Sequence, residues 1–153
     1  MSILFHNKPW LFKKQIRDDK FGRMWFINCH DPLNDHYQCH FTFKPTNSEI
    51  GAYFTSDKEG IDPKLQHFFG EIERKYFELL LLFINPVEEY MKKKYQQEIK
   101  IQDFKKEFVL FAISLSRYSY QKQEWILGYY PNDEPLKGFN IKFKNWDVVD
   151  VVN

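Results

Sequence analysis

Cys29, His30, His36, Cys39 and His40 are the densest set of metal-ligating and nucleophilic side chains in the chain. Thiolate and imidazole are the usual zinc ligands, and a structural zinc site wants four of them in tetrahedral geometry. A hairpin turning at Leu33–Asp35 would set Cys29 opposite Cys39. His30 and His40 would then face the other way, because successive strand side chains alternate. The face with both thiols offers only two ligands, and the histidine spacing does not complete a zinc pattern with them. The preferred reading is two buried cysteines acting as small hydrophobes beside exposed histidines. Cys29, Cys39, His30 and His40 remain the metal candidates, and no cofactor is expected. A Cys/His nucleophile needs a thiolate with an adjacent base, and in a strand His30 points away from Cys29.

Other catalytic signatures are missing from the sequence. There is no Gly-x-Ser-x-Gly, P-loop, dinucleotide fingerprint or His-Glu-x-x-His, and six glycines leave little for phosphate-cradling loops. Acids distant in sequence can meet in space as a hydrolytic pair. Asp18, Asp19, Glu49, Asp57, Glu59, Asp62, Glu88, Glu89 and Asp103 are available, and nothing selects among them. His67 falls beside the core stripe of a helix and reads as a partly exposed helix residue. No catalytic residue is therefore assigned.

Binding chemistry is better represented. Aromatic residues make up 19% of the chain, which favours either a sheet-rich fold or a surface with aromatic contacts. Tyr118 and Tyr120 fall in a turn, and Tyr129 and Tyr130 border the break at 131–135. Trp10, Lys13 and Lys14 interleave an aromatic with basic residues near the N-terminus. Tyr and Trp are favoured interface anchors because they give rigid contact area with a polar tip. These seven are the candidate partner-binding residues; the competing reading folds the tyrosines back over the sheet edge. The same texture suits single-stranded nucleic acid, but a net charge of +1 gives no general attraction to it or to an anionic membrane. Basic clusters, including Lys92, Lys93 and Lys94, read as solvated surface.

The elements that must position these residues follow from periodicity. Trp10–Ile16 and Arg23–His30 read as extended segments around the turn Asp18-Asp19-Lys20-Phe21-Gly22. Tyr37, Cys39, Phe41 and Phe43 alternate with polar residues, a strand signal. Glu49–Thr55 is a fourth strand. The period then changes. Asp62-Pro63 is a helix start, and Leu65, Phe68, Phe69, Ile72, Tyr76, Leu79, Leu80, Phe83, Val87, Tyr90 and Met91 form one stripe of a helix running to Tyr95. Pro86 should kink that helix near Leu82–Asn85, or split it. Gln96–Glu107 is a loop or one short helix. Phe108–Ser116 follows as a strand with Val109, Phe111, Ile113 and Leu115 on one face. Trp125–Tyr130 and Phe139–Phe143 are further strands, and Trp146–Val152 is a last strand or an extended tail.

Strands, one long helix, then strands predict a single α+β domain over residues 1–153, with an antiparallel sheet of about six to eight strands on one long, Pro-kinked helix. The helix is read as structural, with function on the strand edges and aromatic turns. The start has no signal-peptide pattern, no apolar run is long enough to span a bilayer, and two cysteines make no disulfide framework. A cytoplasmic location is expected.

The order of pieces resembles small bacterial immunity proteins of contact-dependent growth inhibition and other polymorphic toxin systems. The likeness is one of layout over most of the chain. It runs through the Asp18–Gly22 turn, the strand with Trp25, and Asp62-Pro63-Lys64-Leu65-Gln66 opening a helix with Tyr76, Pro86 and Tyr90. Later strands carry Trp125 and Phe139-Asn140-Ile141-Lys142-Phe143. The resemblance implies a non-enzymatic inhibitor that neutralises a cognate toxin domain by stoichiometric binding. It transfers no site residue, and the neutral charge departs from the acidic character of many such proteins. A small hydrolase-like enzyme is the second reading, and a nucleic-acid-binding module the third.

Overall fold

The computed structural model describes residues 12–56, 60–132 and 136–153, with side chains from residue 15 on. Trp10, Asp57 and Glu59 lie outside the described residues, as do the side chains of Lys13 and Lys14. One eight-stranded sheet is ordered as the chain runs: β1 (Phe12–Asp18), β2 (Gly22–Ile27), β3 (His36–Phe43), β4 (Ser48–Thr55), β5 (Phe108–Leu115), β6 (Glu124–Pro131), β7 (Phe139–Lys144) and β8 (Asp147–Val152). Helix α1 (Pro63–Tyr95) and the short α2 (Phe104–Glu107) lie between β4 and β5. The architecture is α+β, as the pattern predicts.

One pairing departs from a purely antiparallel sheet. β4 and β5 run parallel, with Ala52 opposite Ile113, while the other six junctions are antiparallel. Parallel neighbours need a long crossover, and α1 supplies it. The helix thus joins the two halves of the sheet as well as covering it.

Helix α1 starts where the sequence predicts. The Asp62 carboxylate accepts from Lys64 N–H at 2.9 Å, and Pro63 occupies the first turn, satisfying one orphan donor and needing no other. It ends where Gln96 turns left-handed at φ 55° with Lys92, Lys93 and Lys94 in the last turn, where cations oppose the negative dipole end. The helix is not split at Pro86. Ten of the eleven predicted stripe residues are buried, and Tyr90 is half-buried. They pack on sheet residues such as Phe26, Phe43, Phe54, Leu127 and Phe143. Burying one such side chain is worth about 1.5–3 kcal/mol, far above any local helix preference.

Strand β5 corrects the expected face. Phe108 and Leu110 are buried, then Ile113 and Leu115, while Phe111 is exposed. The register with β6 shifts between Leu110 and Ala112, so Phe111 is an extra, bulged residue. A bulge exchanges the faces of the residues on either side of it. The Phe111 ring lies across Gly128, where a Cβ would come within 2.9 Å of it.

Candidate functional site

The expected Cys29–Cys39 juxtaposition does not form. In the β2–β3 ladder Ile27 faces His36 and Trp25 faces Gln38, while Cys39 faces Ala52 across β3–β4. Asp35 holds the intervening turn by accepting from Cys29 N–H at 2.7 Å. Cys29 Sγ is 3.8 Å from His36 Nδ1, but each is within hydrogen-bonding distance of the Asn34 carbonyl, at 3.1 and 2.9 Å. A carbonyl only accepts, so an Nδ1 bonded to it carries the proton and cannot act as base toward the thiol. Burial, Asp35 and Asp31 raise the Cys29 thiol, the wrong direction for a nucleophile. Burial, then Asp18, pushes the Cys39 thiol up to about 12. Both cysteines are free; Cys39 is buried, and His30 and His40 are exposed. Among the described residues no group of three His, Cys, Asp or Glu could hold a metal ion.

A different set of residues converges. A broad groove of about 640 Å³ lies between the first turns of α1, the β5–β6 turn and the β7–β8 turn. Phe68 and Trp146 stack in it with centroids 4.8 Å apart. Trp146 also meets Trp125 edge-on at 5.9 Å and carries Lys75 Nζ at 4.2 Å from its ring centre. Tyr118 lies under Lys64 Nζ at 5.1 Å. Tyr120 stands out into solvent, 87% exposed. His67 and Glu71, one helical turn apart, complete the α1 side.

Two side-chain amides, Gln123 buried and Asn145 half-buried, shape the groove. The Gln123 side chain, 2% exposed, accepts from Ser119 N–H at 3.0 Å and donates to the Ser116 and Glu124 carbonyls at 2.9 and 3.1 Å. Asn145 accepts from Gln123 N–H at 3.0 Å and donates to the Gln121 carbonyl at 3.1 Å. The Trp125 indole donates to the Asn145 carbonyl at 2.6 Å. Asn145 adopts φ 53° in the two-residue turn between Lys144 and Asp147, a conformation Asn tolerates better than most residues. Both turns are thereby fixed to one another. The Ser119 hydroxyl accepts from Lys122 N–H at 3.3 Å within its turn.

The candidate binding residues separate in space. Tyr118 and Tyr120 line the groove. Tyr129 is a correction: it is 1% exposed, with its hydroxyl 2.6 Å from that of Tyr76. This pair floors a cavity of about 200 Å³ lined also by Pro45, Phe77, Phe104 and Lys105. Burial pushes Tyr76 up to about 12 and Tyr129 well above the ordinary tyrosine range. Tyr130 alternates to the opposite face of the sheet, half-exposed beside Phe111 at 5.9 Å. Lys13 and Lys14 belong to β1, at the far edge of the sheet from β8.

Sequence reasoning missed Trp146, Lys64, Phe68 and Glu71 as groove residues, and read His67 only as a partly exposed helix residue. A tryptophan directly after a turn-forming Asn was the available signal, since a turn carries its side chain off the strand ladder. The helix is therefore part of the candidate site as well as a support. No described helix is long and apolar enough to cross a membrane. Comparison of the chain with protein-family models, with curated proteins and with solved structures gives no match.

Proposed function

We propose that this chain is a toxin-immunity protein that binds a cognate bacterial toxin domain stoichiometrically in the cytoplasm, without turnover, through the groove around Tyr118, Tyr120 and Trp146. The observation that supports the reading is a set of aromatic rings presented at the surface on turns held by one shared hydrogen-bond network. Ordered rings lose little side-chain freedom on binding, and large aromatics in a desolvated patch carry most interface affinity. The groove is broad and open, a shape suited to a protein surface. Its rim mixes Lys64 with Glu71, so charge would orient a partner without selecting a strongly acidic or basic one.

Co-expression with the toxin domain encoded beside this chain tests the proposal. Growth should be restored and a one-to-one complex should survive gel filtration. Tyr118→Ala and Trp146→Ala should each weaken that complex by about tenfold or more. Cells that die as fast as without the protein, with no complex recovered, would refute it. His67 and Glu71 facing one groove favour a second reading, a small enzyme using them as an acid–base pair. In that case a hydrolytic activity would appear with purified protein and vanish in His67→Ala. Absence of turnover across ester, peptide and phosphoester probes would remove the second reading.

A further inference from the structure

The outward face of α1 is not uniformly polar. Leu81 is 76% exposed, Leu82 55% and Phe77 47%, on a helix whose inward stripe is already buried against the sheet. Water-facing leucines at the middle of a long helix contribute nothing to the core of their own chain. Two adjacent leucines left to water on a helix whose core side is already filled form a contact surface without a partner in their own chain.

The charges flanking these leucines indicate what covers them. Let a second copy of α1 run antiparallel to the first, with a two-fold axis between Leu81 and Leu82. Leu81 then lies level with Leu82 of the second copy. Seven residues outward from each leucine, Arg74 faces Glu89 of the second copy; further out, Glu71 faces Lys92. Every charged pair just named has opposite sign, and the two-fold repeats each one. Arg74 and Glu89 are both exposed. Arg74 meets Glu71 of its own helix at a loose 3.8 Å, and Lys92 meets the exposed Glu98 at 3.1 Å, contacts that water screens strongly. Helices crossing at about 20° keep side chains a few turns from the crossing point within reach.

We propose that this face is a self-complementary interface and that two copies of the chain pair through α1 about Leu81 and Leu82. The interface is isologous, the form that closes as a dimer. It does not depend on the toxin-immunity reading. In the pair the two grooves at the starts of the helices lie toward opposite ends, each with its Glu71 wall beside Lys92 of the other copy.

Sedimentation of the full chain at low salt, over about two decades of concentration into the hundred-micromolar range, tests this. The weight-average mass of wild type should rise from the 18.7 kDa of one chain toward twice that value. Leu81→Glu should stay at the single-chain mass with an unchanged circular dichroism spectrum, because the residue is exposed. Arg74→Glu alone should weaken association by about tenfold, and so should Glu89→Arg alone, because each sets like charges face to face. Mixing these two single variants should restore it, since both pairs across the two-fold are then again opposite in sign. A wild type that keeps the single-chain mass throughout, or a mixture that associates no better than its components, would overturn the proposal.

Discussion

Two hairpin turns of this molecule are built with the same kind of bond and end differently. The β1–β2 turn is closed by Asp18, whose carboxylate accepts from Lys20 and Phe21 N–H at 2.8 and 3.0 Å and from the Gln66 side chain at 2.6 Å. Gly22 supplies φ 70°, and Lys20 bridges to Glu73 at 2.5 Å. The result directs Phe21 inward, 1% exposed and edge-on to Phe69 at 5.0 Å. The β5–β6 turn is closed by Gln123 and Asn145, but its tyrosines point along or away from the surface. Bonds from side chain to backbone fix a loop in both cases; what differs is whether the aromatic ring completes the core or is displayed. Tyr120 displays its ring without adding to the core, while Tyr118 packs partly against it, and the displayed ring makes the second turn the better candidate for recognition.

The largest effect should come from removing the buried ring. Phe21→Ala should cost about 3–5 kcal/mol, the range for deleting an enclosed aromatic, measured by urea denaturation. A loss below about 1 kcal/mol would mean that this turn does not close the core. Next, Gln123→Ala should cost roughly 2–3 kcal/mol, because Ser119 N–H and two carbonyls lose a buried partner. It should also loosen the groove, seen as faster amide exchange at residues 117–121. Unchanged exchange there would separate the network from the presentation of the tyrosines.

Much of this contrast was legible in the sequence, though unevenly. The boundaries of α1 were readable because Asp62-Pro63, a long stripe and three terminal lysines agree with one another. The Asp18–Gly22 turn was readable for the same reason, as acid and glycine both favour it. The bulge at Phe111 was not, because alternation counts straight through an extra residue and assigns the wrong face. Tyr129 was misplaced by its nearness to a proline-rich break, while its strand parity turns it inward. The groove was hidden for a topological reason. Its walls come from three segments far apart in the chain, brought together only once the sheet register and the helix crossover are known. No local pattern encodes that meeting.

A tyrosine on the other side of the boundary sharpens the comparison. Tyr76 is buried with its hydroxyl on Tyr129, and its pKa is raised to about 12 from an ordinary value of 10.0. A raised folded-state value means that the unfolded chain releases this proton first. The stabilisation is therefore complete below pH about 10 and is lost as pH climbs toward about 12. Tyr76→Phe should cost about 1 kcal/mol at neutral pH. The difference from wild type should then shrink across that alkaline window. A constant difference between pH about 8 and 12 would show that Tyr76 does not titrate with unfolding.

Tyr120→Ala should give the smallest effect on stability, below about 0.5 kcal/mol, because an exposed side chain away from caps and cores contributes little. Tyr118→Ala should cost somewhat more, since its ring is half-buried and lies under Lys64. The pair of values discriminates between two roles for this turn. If Tyr120 folded back over the sheet edge in solution, its removal would destabilise the chain as much as Tyr118→Ala does. If it is displayed, stability holds while partner binding falls. Unfolding curves for the two variants, read beside the gel-filtration result for the complex, therefore locate the ring before the partner's chemistry is known.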